Sequence, residues 1–342
     1  MTLKSPTIPT FDFMQNNKIN WGIIGAGRIA QTFADDLKLS PNAVLRAIAS
    51  RNSEKAQSFA QKNDIAQFYS SYQALAKDPD IDVIYIATPH PFHYENTLLC
   101  IENGKHVLCE KPMGMNASQV KRMTDEAKAH GLFLMEAMWT RFIPATEKLI
   151  AVLDSGVIGN PLFLHADFGF KSTPDPNGRL FNKKLGGGSL LDIGIYPIFL
   201  SLLLWGKPNT IRALARMTET GVDSYCSMVF DHNNAAKSML ESTFEANTPV
   251  EAIIYGEKGT LKLHRRWHHA TMLSVLKTDG QNEEIHLPYK GSGYIFEIEE
   301  VNRCLQNGIT ESNKMPHRMS LDLIETIDRV KAEIGLAYDE HD

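Results

Sequence analysis

The chain has 342 residues, of which 43% are hydrophobic and 22% charged, and its formal net charge is −5. That length exceeds what one hydrophobic core comfortably serves, so two domains are expected in an otherwise ordinary soluble composition. The mild negative charge offers nothing to nucleic acid or to an anionic membrane surface, and neither is expected as a partner.

Residues 1–18 are polar, carry Pro6 and Pro9, and lack the apolar stretch of a secretory signal, so they read as a flexible arm. Strand and helix signals then alternate. A strand over 19–24 runs into Gly25-Ala26-Gly27 and a helix over 28–39; a second strand covers 43–49, and Ser53 is placed to cap a helix through Lys62. Phe68-Tyr69 and a short helix lead to an apolar strand over 81–87 that breaks at Thr88-Pro89. A helix over 93–103 stops at Gly104 and feeds the strand Val107-Leu108-Cys109-Glu110, with Lys111 at its end and Pro112 closing it. A helix over 117–130 and a strand over 132–136 complete the series. This alternation predicts right-handed βαβ units and a doubly wound parallel sheet, a Rossmann domain over 19–138.

From 139 to 342 the pattern becomes α+β. It begins with a helix over 148–154, a strand near 162–167 and a Pro/Gly/Asn-rich loop over 171–184. The turn Gly186-Gly187-Gly188 and an apolar helix over 193–205 follow. Strands at 211–213, 224–231, 236–244, 251–255 and 260–263 precede helices over 294–306 and 318–334. Strands in a row predict a largely antiparallel open sheet, whose free face favours a homodimer. The run 193–205 is too short for a bilayer and contains Gly194 and Pro197, so a buried helix is expected. Cys100, Cys109, Cys226 and Cys304 have no CxxC spacing, which argues for a reducing, cytoplasmic setting without disulfides or structural zinc.

Gly25-Ala26-Gly27-Arg28-Ile29-Ala30 fits G-x-G-x-x-[G/A] between a strand and a helix. The first glycine permits the turn, the second lets backbone approach a pyrophosphate, and the small last residue packs helix on strand. The second strand ends at Ser50-Arg51, with Lys55 nearby, where an NAD site usually has an acid. A guanidinium there suits a 2′-phosphate, so NADP is favoured over NAD.

Lys111 is a long cation at the carboxyl edge of a parallel sheet, where ligands bind. Asp192 and Tyr196 are four apart and share a face if helical. Tyr196 is either a core tyrosine with a satisfied hydroxyl or a chemical group, and its neighbours alone do not decide. Beside a dinucleotide, a lysine that lowers the pKa of a tyrosine would let that phenol take the proton of an alcohol as hydride leaves. Asp192 could then hold the substrate or the lysine.

At these residues the chain resembles the Gfo/Idh/MocA family of NAD(P)-dependent sugar oxidoreductases. The resemblance is carried by Gly25-Ala26-Gly27, Glu110-Lys111-Pro112 and the run from Gly187 through Asp192 to Tyr196. Within it the dihydrodiol dehydrogenases, which are also NADP-dependent D-xylose dehydrogenases, are most similar, through Tyr72–Asp78, Val107–Gly114, Gly131–Phe142 and Leu190–Tyr196. The resemblance implies that Lys111 and Tyr196 are the catalytic pair. It also implies that Thr88, His90, His93, Glu110 and Lys111 lie against the cofactor, with His90 near the nicotinamide, and that Trp267 belongs to the substrate wall. Trp139 and Arg141 suit a sugar ring as an aromatic plate and a hydrogen-bonding cation, the alternative being domain packing and a structural ion pair. Arg179 is expected in solvent, and His264, His268 and His269 lack the ligand spacing of a metal site. The expected activity is NADP-dependent oxidation of a polyhydroxy substrate, at C1 of an aldopyranose such as D-xylose, with trans-dihydrodiols implied by the resemblance. Alternatives are a non-catalytic NADP-binding sensor, or a dehydrogenase or reductase for another sugar.

Overall fold

The computed structural model describes residues 18–233 and 236–338. The expected N-terminal arm, apart from Lys18, lies outside the described residues. Strands β1 (Ile19–Ile24), β2 (Ala43–Ala49), β3 (Gln67–Tyr69), β4 (Val83–Ile86), β5 (His106–Glu110) and β6 (Leu134–Ala137) alternate with helices α1 (Arg28–Leu37), α2 (Ser53–Asn63), α3 (Tyr72–Ala76), α4 (His93–Glu102) and α5 (Ala117–Ala129). The strands pair in parallel in the order β3-β2-β1-β4-β5-β6. Both faces are covered, which is why β4 is apolar and buried at every position. The order reverses between β1 and β4, and a ligand crevice belongs outside the carboxyl ends of those strands. One detail differs from expectation. Asn52 rather than Ser53 caps α2, its side chain accepting the Lys55 N–H at 2.9 Å from an extended backbone.

The second region adds α6 (Pro144–Asp154), β7 (Pro161–Gly169), α7 (Ile195–Trp205), β8 (Thr210–Met217), β9 (Asp223–Asp231), β10 (Lys237–Thr243), β11 (Ala252–Gly256), β12 (Gly259–Leu263), β13 (Met272–Lys277), β14 (Glu283–His286), α8 (Ile295–Gln306) and α9 (His317–Ile334). Eight strands form one sheet, β14-β13-β12-β11-β7-β10-β9-β8, antiparallel except where β7 meets β10. The sequence reading missed β13 and β14. The latter is a polar edge strand, Glu283 to His286, with no buried position to set a period-two pattern. The apolar α7 lies on the inner face, and within the stretch Lys183–Trp205, long and apolar enough for a bilayer, the most apolar 18-residue window is 89% buried inside the protein.

The last two helices return to the first sheet. The Trp21 indole donates to Asn302 on α8 (3.0 Å), and Asp36 on α1 accepts the Ser292 and Ile295 amides. His317 at the start of α9 donates to the Leu134 carbonyl at 2.8 Å. These contacts hold the two sheets in one register, so groups contributed by each can meet at a fixed distance.

Candidate active site

The turn after β1 meets the requirements of a dinucleotide cradle. Gly25 has φ +102°, and a Cβ there would lie 2.7 Å from the Ala87 carbonyl oxygen. Gly27 caps α1 without any side-chain hydrogen bond, and a Cβ added to it would meet nothing within 4 Å. The first turn of α1 contains no acid. Ala26 and Ile29 are half-buried while Arg28 is exposed, so open backbone amides face the edge of the sheet where a pyrophosphate would lie. At the end of β2, Ser50 is nearly buried and accepts the Asn52 N–H (3.3 Å), whereas the exposed Arg51 holds its guanidinium 5.1 Å from the Phe92 ring centroid. Lys55 is exposed one turn into α2. These residues fit a dinucleotide with a phosphate on its adenosine ribose.

Beyond β4 and β5 the chain is tied down from below. The Glu110 carboxylate accepts from the Tyr85 hydroxyl and the Lys111 amide, and burial raises its pKa against the pull of Lys111. His93 is wholly buried between two carbonyls, Thr88 at 2.7 Å and Pro112 at 2.8 Å. It therefore sits inside the fold between the two strand ends, donating to one carbonyl while it is neutral. The Thr88 hydroxyl accepts from Asn96 (3.2 Å). His90 donates from Nδ1 to the Gly186 carbonyl (3.1 Å), and burial, reinforced by Lys111, pushes its pKa well below the ordinary imidazole value. It is neutral, with Nε2 as its remaining acceptor.

The other half of the site comes from the glycine run. Gly188 has φ +113°, and a Cβ there would collide with Asp223 Oδ1 at 2.5 Å. That close approach lets Asp223 accept both the Ser189 hydroxyl (2.6 Å) and the Leu190 amide (2.8 Å), fixing where the next helix begins. It begins not as an α-helix but as a π turn, Leu190–Gly194, before α7. Asp192 and Tyr196 therefore straddle a junction, and Lys111 touches both. Its Nζ donates to the Asp192 carbonyl at 2.6 Å, lies 3.6 Å from Asp192 Oδ1, and sits 4.9 Å from the Tyr196 ring centroid. The Asp192 carboxylate also takes a two-pronged hydrogen bond from Arg179 (2.8 and 3.1 Å). Although burial opposes its charge, Lys111 and Arg179 hold its pKa well below the usual carboxylate range. Arg179, expected in solvent, is thus a site residue, its side chain 43% exposed and the loop 171–184 folded over Asp192.

Tyr196 does not have the lowered pKa that the sequence suggested. Burial, followed by the charge of Glu110, raises it well above the ordinary phenol value. Lys111 lies over the ring face and bonds a carbonyl, while the phenol sits among Phe168, His268 and Trp139. The group that addresses the hydroxyl is Trp139, whose Nε1–H donates to Tyr196 Oη at 2.8 Å. Trp139 is 7% exposed and stacked on Tyr294 (4.6 Å, 9°), so it is a hydrogen-bond donor to the tyrosine and not an open plate for a sugar. Arg141 is likewise drawn away, to Glu147 (2.9 Å) and the Lys314 carbonyl (3.0 Å). Trp267 is fully buried and donates to the Asp167 carbonyl. Its neighbour His268 is the one that reaches Tyr196, with ring centroids 5.4 Å apart. No periodicity marked His268, because it lies in a short 3-10 turn. Among the described residues no group of three or more His, Cys, Asp or Glu is arranged to hold a metal ion.

Residues 19–138 match the NAD-binding Rossmann fold of the Gfo/Idh/MocA oxidoreductases, and residues 146–262 match the C-terminal domain of the same family. The trans-1,2-dihydrobenzene-1,2-diol dehydrogenase of Bos taurus is 38% identical over 338 residues, covering 94% of this chain and 99% of its own. That of Xenopus tropicalis is 37% identical over 330 residues, covering 93% and 98%. Among solved structures, the 3-ketoreductase KijD10 of Actinomadura kijaniata, in complex with NADP and TDP-benzene, superposes with a TM-score of 0.84 at 26% identity, covering 93% of this chain and 98% of that one. Variants of KijD10 with a lysine changed to alanine, or a tyrosine to phenylalanine, have also been solved with those ligands.

Proposed function

The chain belongs to the Gfo/Idh/MocA family of NAD(P)-dependent oxidoreductases, and on that premise we propose that it oxidises a hydroxyl of a cyclic polyol, with NADP as cofactor. The substrate class is an aldopyranose such as D-xylose, oxidised at C1 to the lactone, or a trans-dihydrodiol of the kind named for its relatives. The carrying observation is that Lys111, from the dinucleotide-binding sheet, and Tyr196, from the second domain, meet at 4.9 Å beside the carboxyl ends of β4 and β5. When bound, NADP would supply the hydride acceptor. Gly25, Ala26, Gly27, Arg28 and Ile29 would take its pyrophosphate, and Ser50, Arg51 and Lys55 its ribose phosphate.

The remaining work falls to the chain's own groups. Trp139 occupies an acceptor position of the Tyr196 oxygen, which leaves the phenolic O–H free to turn toward a reacting oxygen. Lys111 has further donors beyond the one given to the Asp192 carbonyl, and these orient the substrate hydroxyl and favour the phenolate once a proton has left. Asp192 and Arg179 fix Lys111 through their shared ion pair. The same neutral phenol acts as an acid in the reverse direction, and the 3-ketoreductase likeness makes reduction of a keto-sugar the second reading. Tyr196→Phe is expected to keep NADP binding while cutting turnover by about two orders of magnitude or more in an NADPH absorbance assay over aldoses and dihydrodiols. Near wild-type turnover would remove Tyr196 as the acid–base group.

The open face of the second sheet supports a homodimer. Leu214, Val229 and Met239 are 78%, 48% and 49% exposed on β8, β9 and β10, and Val229 stands opposite Met239. Light scattering should give twice the chain mass, and Val229→Lys with Met239→Glu should halve it. A wild-type monomer would end this reading. A reducing, cytoplasmic place of action is our reading of four scattered cysteines, all buried free thiols.

A further inference from the structure

We propose that His268 is a substrate-orienting residue whose imidazole hydrogen-bonds the hydroxyl next to the one that Tyr196 deprotonates, making the enzyme selective for vicinal diols. This rests on the reading of Lys111 and Tyr196 as the site of an NADP-linked dehydrogenase. The backbone around His268 is fixed from two sides. Its carbonyl accepts the Thr140 hydroxyl at 2.8 Å, and the preceding Trp267 is pinned to the Asp167 carbonyl at 2.9 Å. The ring stacks on Phe168 (4.2 Å, 19°) and lies 5.4 Å from the Tyr196 ring and 5.8 Å from that of Trp139. It therefore flanks the same phenol that Lys111 covers.

What such a ring lacks is a partner. Nδ1 of His268 is buried without a hydrogen bond. Leaving a buried polar atom unsatisfied costs about 1–3 kcal/mol and calls for an explanation; His232 and His317 also have an Nδ1 without a hydrogen bond, and what singles out His268 is its ring contact with Tyr196. For aromatic packing alone, phenylalanine would fill the place without that cost. Burial, with His269 and Lys111 adding to it, drives the imidazole pKa well below its ordinary value. The ring thus has one N–H donor and one lone pair on separate nitrogens, and a hydroxyl group, which both donates and accepts, can bond to whichever of them faces it. Sugars and trans-dihydrodiols share a second hydroxyl beside the reacting carbon, and a simple alcohol lacks it.

The test compares wild type, His268→Phe and His268→Asn with NADP on D-xylose and 2-deoxy-D-xylose. His268→Phe should raise KM for D-xylose by ~10-fold or more, leave kcat within ~3-fold, and leave NADP affinity and the pH profile in place. Its effect on the 2-deoxy sugar should be much smaller, because the hydroxyl it addresses is already missing. His268→Asn should recover much of the loss. An unchanged KM, or an equal loss on both sugars, would overturn the inference and leave Lys111 and Tyr196 untouched. If wild type shows no turnover, calorimetric binding of D-xylose to the NADPH-saturated protein decides. Weaker binding by His268→Phe upholds the contact, whereas equal binding, or no binding by wild type, overturns it. His268→Leu replaces the Phe variant if the latter fails to fold.

Discussion

Replacing Trp139 by phenylalanine tests whether the indole N–H sets the proton affinity of Tyr196. The substitution keeps an aromatic ring against Tyr294, on which Trp139 stacks at 4.6 Å, and removes the 2.8 Å donor to Tyr196 Oη. A hydrogen bond to a charged acceptor is worth about 1.5–3 kcal/mol and one to a neutral acceptor about 1. Losing it therefore disfavours the phenolate over the phenol by roughly 1–2 kcal/mol. At about 1.4 kcal/mol per pH unit, the apparent pKa of the base should rise by about one unit. The sign follows from which form acts. Oxidation needs the phenolate, so kcat/KM for sugar oxidation should fall ~10-fold below the alkaline limb and converge with wild type above it. Reduction uses the phenol and should be much less affected. The assay is the pH dependence of kcat/KM in both directions, with Tm measured alongside to exclude a general defect. An alkaline limb that stays in place, in a variant of wild-type Tm, would refute the assignment of Trp139 as the donor that tunes the phenol.

Two further predictions concern cofactor choice and stability. Arg51→Ala should weaken NADP much more than NAD in fluorescence titrations, because only NADP carries the phosphate the guanidinium would grip; equal losses would sink that role. Glu136, buried in β6 and accepting the Met113 amide at 2.9 Å, has its pKa raised from 4.5 to about 7, mainly by burial. A carboxyl raised in this way holds its proton more tightly when folded, so stability falls as pH climbs from about 4.5 to 7, by up to ~3 kcal/mol, and levels off above. Glu136→Gln should flatten that decline in thermal melts between pH 5 and 8, and parallel curves would show that Glu136 is not its source.

The parts of the fold legible in the sequence are those set by local repetition. Six strands alternating with helices needed only periodicity and turn residues, and the glycine turn needed only its place between β1 and α1. Lys111 stood out because a cation is costly at that edge of a sheet, and Tyr196 because a polar group interrupted an apolar helix. Neither signal contained a direction. That the phenol oxygen accepts from Trp139, 57 residues away, follows from how the segment after β6 packs against α7.

The errors share one physical cause, which is that residue type marks a neighbourhood while a few backbone angles choose the residue that faces in. Arg266 adopts φ +61° just before the 3-10 turn Trp267–His269. A strand through this stretch would have sent Trp267 and His269 to one face and His268 to the other. The left-handed residue instead turns the tryptophan into the core, at zero exposure, and sets His268 against Tyr196. Arg141 and Arg179 exchange roles for a related reason. The first lies two residues after Trp139 but finds Glu147 and, 173 residues away, the Lys314 carbonyl; the second sits in an irregular loop that the glycine run folds back onto Asp192. Arg179 thereby meets Asp192, which lies beside Lys111 in a π turn and is nearly buried. The chemistry was therefore readable as a set of residue types, whereas its hydrogen-bond polarity was decided by Gly188, Arg266 and the docking of α8 and α9.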